Sequence, residues 1–89
     1  HAIAGFEIIP NPSKGQMQFV FPANMIAPAK LAIYDVTGRQ VIEQGFDDSI
    51  NTWNWNAIDN KGNRLPAGIY FAELESGPNL LLKKIVLLK

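Results

Sequence analysis

Polar and apolar side chains alternate over residues 16–21, with Met17, Phe19 and Phe21 on one face and Gln16 and Gln18 on the other. A period of two is the mark of a half-buried antiparallel strand. Similar short runs, rich in β-branched and aromatic residues, recur at 6–9, 30–36, 40–44, 50–56, 69–75 and 80–88. Pro10-Asn11-Pro12 ends the first run, because proline donates no amide and drives the residue before it to extended geometry. Residues 22–28, bracketed by Pro22 and Pro28, read as a connection, and residues 59–68 as a long turn. Thr37-Gly38 and Ser76-Gly77-Pro78-Asn79 read as hairpin turns, with Gly38 free to take a positive φ. Strands this short, so closely punctuated, predict an antiparallel all-β sandwich of about seven strands.

The last run stands apart. Leu80-Leu81-Leu82-Lys83-Lys84-Ile85-Val86-Leu87-Leu88-Lys89 is apolar on both faces and broken only by lysines. A short helix fits its periodicity almost as well. The β-branched pair Ile85-Val86 and the tight turn before it favour a strand. An unpaired edge of this composition recruits other chains, so it is either covered or read by a partner, and pairing with a second copy of the chain stays open. The lysines also fit a plain role as gatekeepers of solubility.

Composition narrows the classes. A chain of 89 residues makes one domain, and 47% hydrophobic against 18% charged residues argues against disorder. Eight basic and eight acidic side chains cancel, which removes the net field that nucleic acid or an anionic membrane would answer. The absence of cysteine excludes disulfide scaffolds and thiolate zinc sites. No apolar run reaches the roughly 18 residues of a membrane span. Residues 1–5 lack the basic flank and long apolar stretch of a signal peptide. The expectation is a domain over 6–89 cut from a larger protein, with 1–5 a linker or tag remnant.

Little catalytic chemistry is available. Ser13, Ser49 and Ser76 fall in predicted turns, and the lone histidine is His1, so no serine has an imidazole to activate it. The carboxylates are scattered, and the expectation is a protein without enzymatic activity. Asp59-Asn60-Lys61-Gly62-Asn63 looks like the opening of a calcium loop, yet Lys61 stands where a ligand belongs and the closing glutamate is missing. A turn whose Asp caps its own amides fits better, and no metal or cofactor is expected. Trp53 and Trp55 share one strand face, flanked by Asn51, Asn54 and Asn56. They suit the centre of a sandwich, or a platform for stacking sugar rings. The second use would make the chain a carbohydrate-binding accessory module of a secreted glycosidase. Tyr34 and Tyr70 read as core or edge residues.

Several of these pieces occur in a fixed order. Pro10-Asn11-Pro12, Gly15, Ile33-Tyr34-Asp35-Val36-Thr37-Gly38-Arg39, Trp55, Asp59-Asn60-Lys61-Gly62, Leu65-Pro66-Ala67-Gly68-Ile69-Tyr70 and the closing Lys84-Ile85-Val86-Leu87-Leu88-Lys89 span residues 6–89. The series resembles the C-terminal sorting domain of type IX (Por) secretion cargo. The tryptophan-to-tyrosine stretch also resembles the immunoglobulin-like domain of flagellar hook-capping proteins, which lacks the Pro-Asn-Pro entry and the basic-apolar ending as a pair. The resemblance implies an immunoglobulin-like β-sandwich that follows a cargo domain in a protein of Bacteroidota. It further implies passage through the periplasm, recognition by an outer-membrane translocon, removal by a surface sortase, and release or attachment to surface lipopolysaccharide. The recognised residues would be Gly68, Ile69 and Tyr70, with Lys83, Lys84, Ile85, Val86, Leu87, Leu88 and Lys89.

Overall fold

The alternation over residues 16–21 becomes a strand because Met17 and Phe19 bury one face of it, and the other runs follow the same logic. A computed structural model describes residues 5–89. The reading of 1–5 as a linker or tag therefore lies, apart from Gly5, outside the described residues. The strands are β1 (Glu7–Ile9), β2 (Met17–Val20), β3 (Ala29–Asp35), β4 (Gln40–Phe46), β5 (Thr52–Trp55), β6 (Gly68–Ser76) and β7 (Asn79–Leu87). They form two antiparallel sheets, ordered β1-β2-β5 and β4-β3-β6-β7. This is the predicted seven-stranded, immunoglobulin-like sandwich.

Between the sheets lies one apolar core. Phe19 is fully buried, its ring 6.3 Å from Phe6 and 6.4 Å from Phe21. Leu31, Ile33, Leu74 and Ile85 close the core from the larger sheet. Strand β4 extends past the predicted 40–44 to Phe46, because Phe46 pairs with Ala29 and drops its ring against Phe21, 5.4 Å away. The last run is a strand, not a helix, paired along its length with β6.

The connection over 22–28 is pinned by two serines that the sequence places in turns. The Ile26 amide donates to the buried Ser76 Oγ at 2.6 Å, and Ser49 Oγ donates to the Met25 carbonyl at 3.1 Å. A buried hydroxyl needs such a partner, and Ser76 finds one across 50 residues of sequence.

Two loops at one pole share a construction. Asp35-Val36-Thr37-Gly38-Arg39 and Asp59-Asn60-Lys61-Gly62-Asn63 each turn on a glycine at positive φ, 89° and 83°, where a side chain would be strained. In each, the aspartate amide donates to the carbonyl four residues on, and the glycine amide returns to the aspartate carbonyl. The described chain begins at the opposite pole, beside the β6–β7 turn, since Phe6 packs at a tilt on Phe21, which meets Phe46, the partner of Ala29 opposite Ser76. It ends with Leu88 and Lys89 at the loop pole, near Pro66 and Ala67.

Candidate functional site

Pairing with β6 sorts the terminal strand into two faces. Leu81, Lys83, Ile85 and Leu87 turn toward the core, and Leu80, Leu82, Lys84 and Val86 turn outward. Ile85 and Leu87 are buried. Lys83 stops short of the interior by reaching Glu7 of β1, with Nζ 3.7 Å from Oε2. Across the ladder, Gly68, Ile69 and Tyr70 face Leu87, Val86 and Ile85. The two segments named from the resemblance, distant in sequence, are therefore neighbours on one ribbon.

The motif Pro10-Asn11-Pro12 holds the outer edge of that ribbon. After β1 the chain leaves the smaller sheet and runs parallel to the end of β7, bridging Ser13 to Leu87. The Asn11 side chain acts as a piece of strand: its Nδ2 donates to the Lys84 carbonyl at 2.8 Å, and its Oδ1 accepts from the Val86 amide at 3.0 Å. The Ser13 amide donates to the Val86 carbonyl at 2.9 Å, and the Leu88 amide donates to the Ser13 carbonyl at 2.7 Å. Ser13 is buried, its hydroxyl donating to the Gln16 carbonyl at 2.7 Å and accepting the Gly15 amide. The sequence marks Asn11 as part of a motif. Its clasping role has no local signal, because its partners lie 73 and 75 residues away.

Tyr70, the third residue of β6, sits in the core. Its hydroxyl donates to the Pro66 carbonyl at 2.6 Å, a tie between strand start and preceding corner found in immunoglobulin-like sandwiches. Burial raises its pKa, and the nearby Asp35 carboxylate adds to the rise. Tyr34 is half-buried on the outer face, across from Phe71.

Both loop aspartates sit below the ordinary carboxylate value. Asp35 Oδ1 accepts from the Thr37 hydroxyl at 2.6 Å and from the Thr37 and Arg39 amides. These bonds, the hydroxyl first, lower its pKa. Asp59 Oδ1 accepts from the Asn63 and Lys61 amides, both at 2.9 Å, and these bonds, that of Asn63 first, lower its pKa as well. Asp59 thus spends its carboxylate on its own turn, as read from the sequence.

The tryptophans do not form a platform. Trp55 is 3% exposed, and its Nε1 donates to the Ile58 carbonyl at 3.1 Å. Trp53 is half-buried, tilted at 52° on Phe19 and set edge-on to Phe46 at 76°. Neither ring lies flat and open, which removes the stacking surface that the carbohydrate reading required.

Charge is neutral in total but not in place. Lys14, Arg64 and Lys89 rim a cleft of about 340 Å³ floored by Leu65, Pro66 and Leu87. Arg39, Lys61 and Asp59 line a second cleft of about 270 Å³ at the same pole, where Arg39 pairs with Asp35 at 3.3 Å.

Comparison with known proteins agrees with this geometry. Residues 7–88 match the family model described as the secretion system C-terminal sorting domain. No curated protein matches the chain. Among solved structures, it superposes on PorZ, a surface component of the type-IX secretion system of Porphyromonas gingivalis, with a TM-score of 0.72 at 22% identity. That match covers 96% of this chain and 12% of PorZ. Dimeric latent PorU from the same organism gives a TM-score of 0.68 at 20% identity, over 93% of this chain and 9% of PorU. The chain thus spans about a tenth of the length of either protein.

Proposed function

Because the chain belongs to the secretion system C-terminal sorting domain family, we propose that it acts without catalysis of its own, as the address by which a preceding cargo domain is exported. Membership carries the route: through the periplasm and across the outer membrane by type IX secretion, to release or the cell surface. The family is non-catalytic in general. The observation that carries the reading is the match over residues 7–88, whose last portion coincides with the clasped ribbon. An outer-membrane translocon reads that ribbon at Gly68 and Ile69 and at Lys83, Lys84, Val86, Leu88 and Lys89, whereas Ile85 and Leu87, named with them from the resemblance, are buried and act through the fold. A surface sortase then cuts upstream of the domain. Burial gives Tyr70 the task of holding the start of β6 at Gly68 and Ile69 in shape. A further feature supports the assignment: Lys84 and Lys89 are exposed.

The test is export of a fluorescent reporter carrying residues 1–89, in a host with the translocon. Lys84→Glu with Lys89→Glu, in a domain that melts as the wild type does, is expected to lower export at least about tenfold, as reversal of recognition charges does. Undiminished export would remove the terminal lysines from the signal.

A further inference from the structure

The outward edge of β7 is closed in one half and open in the other. From the Lys84 carbonyl to the Leu88 amide its outward backbone groups are taken by Asn11 and Ser13, so a partner strand has nothing to pair with there. By the register with β6, the amides of Leu80, Leu82 and Lys84 and the carbonyls of Leu80 and Leu82 point the same way. They make no hydrogen bond among the described residues. The same stretch carries the most exposed leucines, Leu80 at 56% and Leu82 at 67%. Folded sheets usually blunt such an edge.

We propose that the open edge at Leu80, Leu82 and Lys84 is a docking rail for an extended segment of the export partner, an inference that rests on the sorting role above. Alternating free donors and acceptors along a strand are complemented by another polypeptide backbone, with side-chain pockets at alternate positions giving specificity. On the outer face the added strand lies beside Leu80, Leu82 and Lys84. Its matching side chains are two apolar residues and a carboxylate facing Lys84, which makes no ion pair among the described residues. A second copy of this chain fits less well. In an antiparallel self-pairing centred on Leu82, each Lys84 meets the copy's Leu80. Sliding the register puts Lys84 against Leu82, or against Pro78, which has no amide for the ladder. Charge complementarity therefore favours a heterologous strand that is apolar and acidic in alternation.

The reporter assay tests the rail with Leu82→Pro, which deletes one outward amide while the odd-numbered residues keep the β6 ladder. A second variant, Leu80→Lys with Leu82→Lys, keeps every amide and replaces the apolar contacts, so it decides the matter should the proline variant fail to fold. Each folded variant, melting within about 3 °C of wild type, is expected to export at least about tenfold less, the proline variant through lost ladder bonds and the lysine pair through lost apolar contact. Wild-type export from both overturns the rail while leaving the sorting role intact. Export that persists after deletion of residues 6–89 sinks the sorting role itself. Light scattering on the purified chain checks the occupant: a monomer supports a heterologous strand, and a dimer dissolved by Leu82→Pro gives the edge to a second copy.

Discussion

The two halves of β7 are built from the same kinds of residue and end in different environments. In the distal half, Ile85 and Leu87 enter the core, and the backbone is paired on one side by β6 and on the other by Asn11 and Ser13. The proximal half has β6 on one side only, and its outward leucines face solvent. Aliphatic content does not separate them; a single asparagine side chain and the path of the chain after β1 do. A segment can thus be a core strand and an exposed edge in sequence, within the span of nine residues.

The largest effect that would test this contrast is a matched pair of truncations. Ile85→Ala removes a fully buried side chain and leaves a cavity, and should cost about 2–5 kcal/mol in urea unfolding. Leu82→Ala trims an exposed one and should stay within about 0.5 kcal/mol. Equal losses at the two positions would mean that the halves do not differ as described.

A smaller effect isolates the clasp. Asn11→Ala takes away the acceptor for the Val86 amide and the donor to the Lys84 carbonyl. Both groups are near solvent and can turn to water, so the expected loss is about 1 kcal/mol, at the modest end for hydrogen bonds. Amide exchange gives the sharper readout. Protection at Val86 should fall toward that of Leu82, while Lys83 and Ile85, bonded to β6, stay protected. Unchanged protection at Val86 would show that the Asn11 side chain does not hold the edge.

These contrasts also mark what the sequence could reveal. The period-two run at 16–21 needed nothing beyond its own residues, because one face is buried and the other is not. The Asp59 loop is readable for the same local reason, since its aspartate bonds within the turn, whereas at 35–39 the sequence marks the hairpin at Thr37-Gly38 but not the matching cap by Asp35. Burial of Trp55 followed from the core demands of a small sandwich. The roles of Asn11 and Ser76 were not readable. Each depends on a partner at least 50 residues away, and neither proline-flanked amide nor turn serine predicts which backbone will arrive beside it.

The smallest expected effect lies at the pole where the distal half ends, in its two aspartate-capped loops. Asp35 and Asp59 have pKa values lowered in the folded chain from the ordinary 3.8, Asp35 chiefly by the Thr37 hydroxyl and Asp59 chiefly by the Asn63 amide. A depressed folded value means that the unfolded chain takes up its proton first on acidification. The contribution of each cap is therefore complete above pH 3.8 and is lost as pH falls through the lower folded value. Both carboxyls are exposed to water, so the drop in melting temperature below pH 3.8 should be shallow. In Asp35→Asn with Asp59→Asn, amide acceptors remain but nothing titrates at these positions, and that drop should flatten. A double variant that loses stability in acid as steeply as the wild type would place the acid sensitivity elsewhere, away from the loops that support the clasped end.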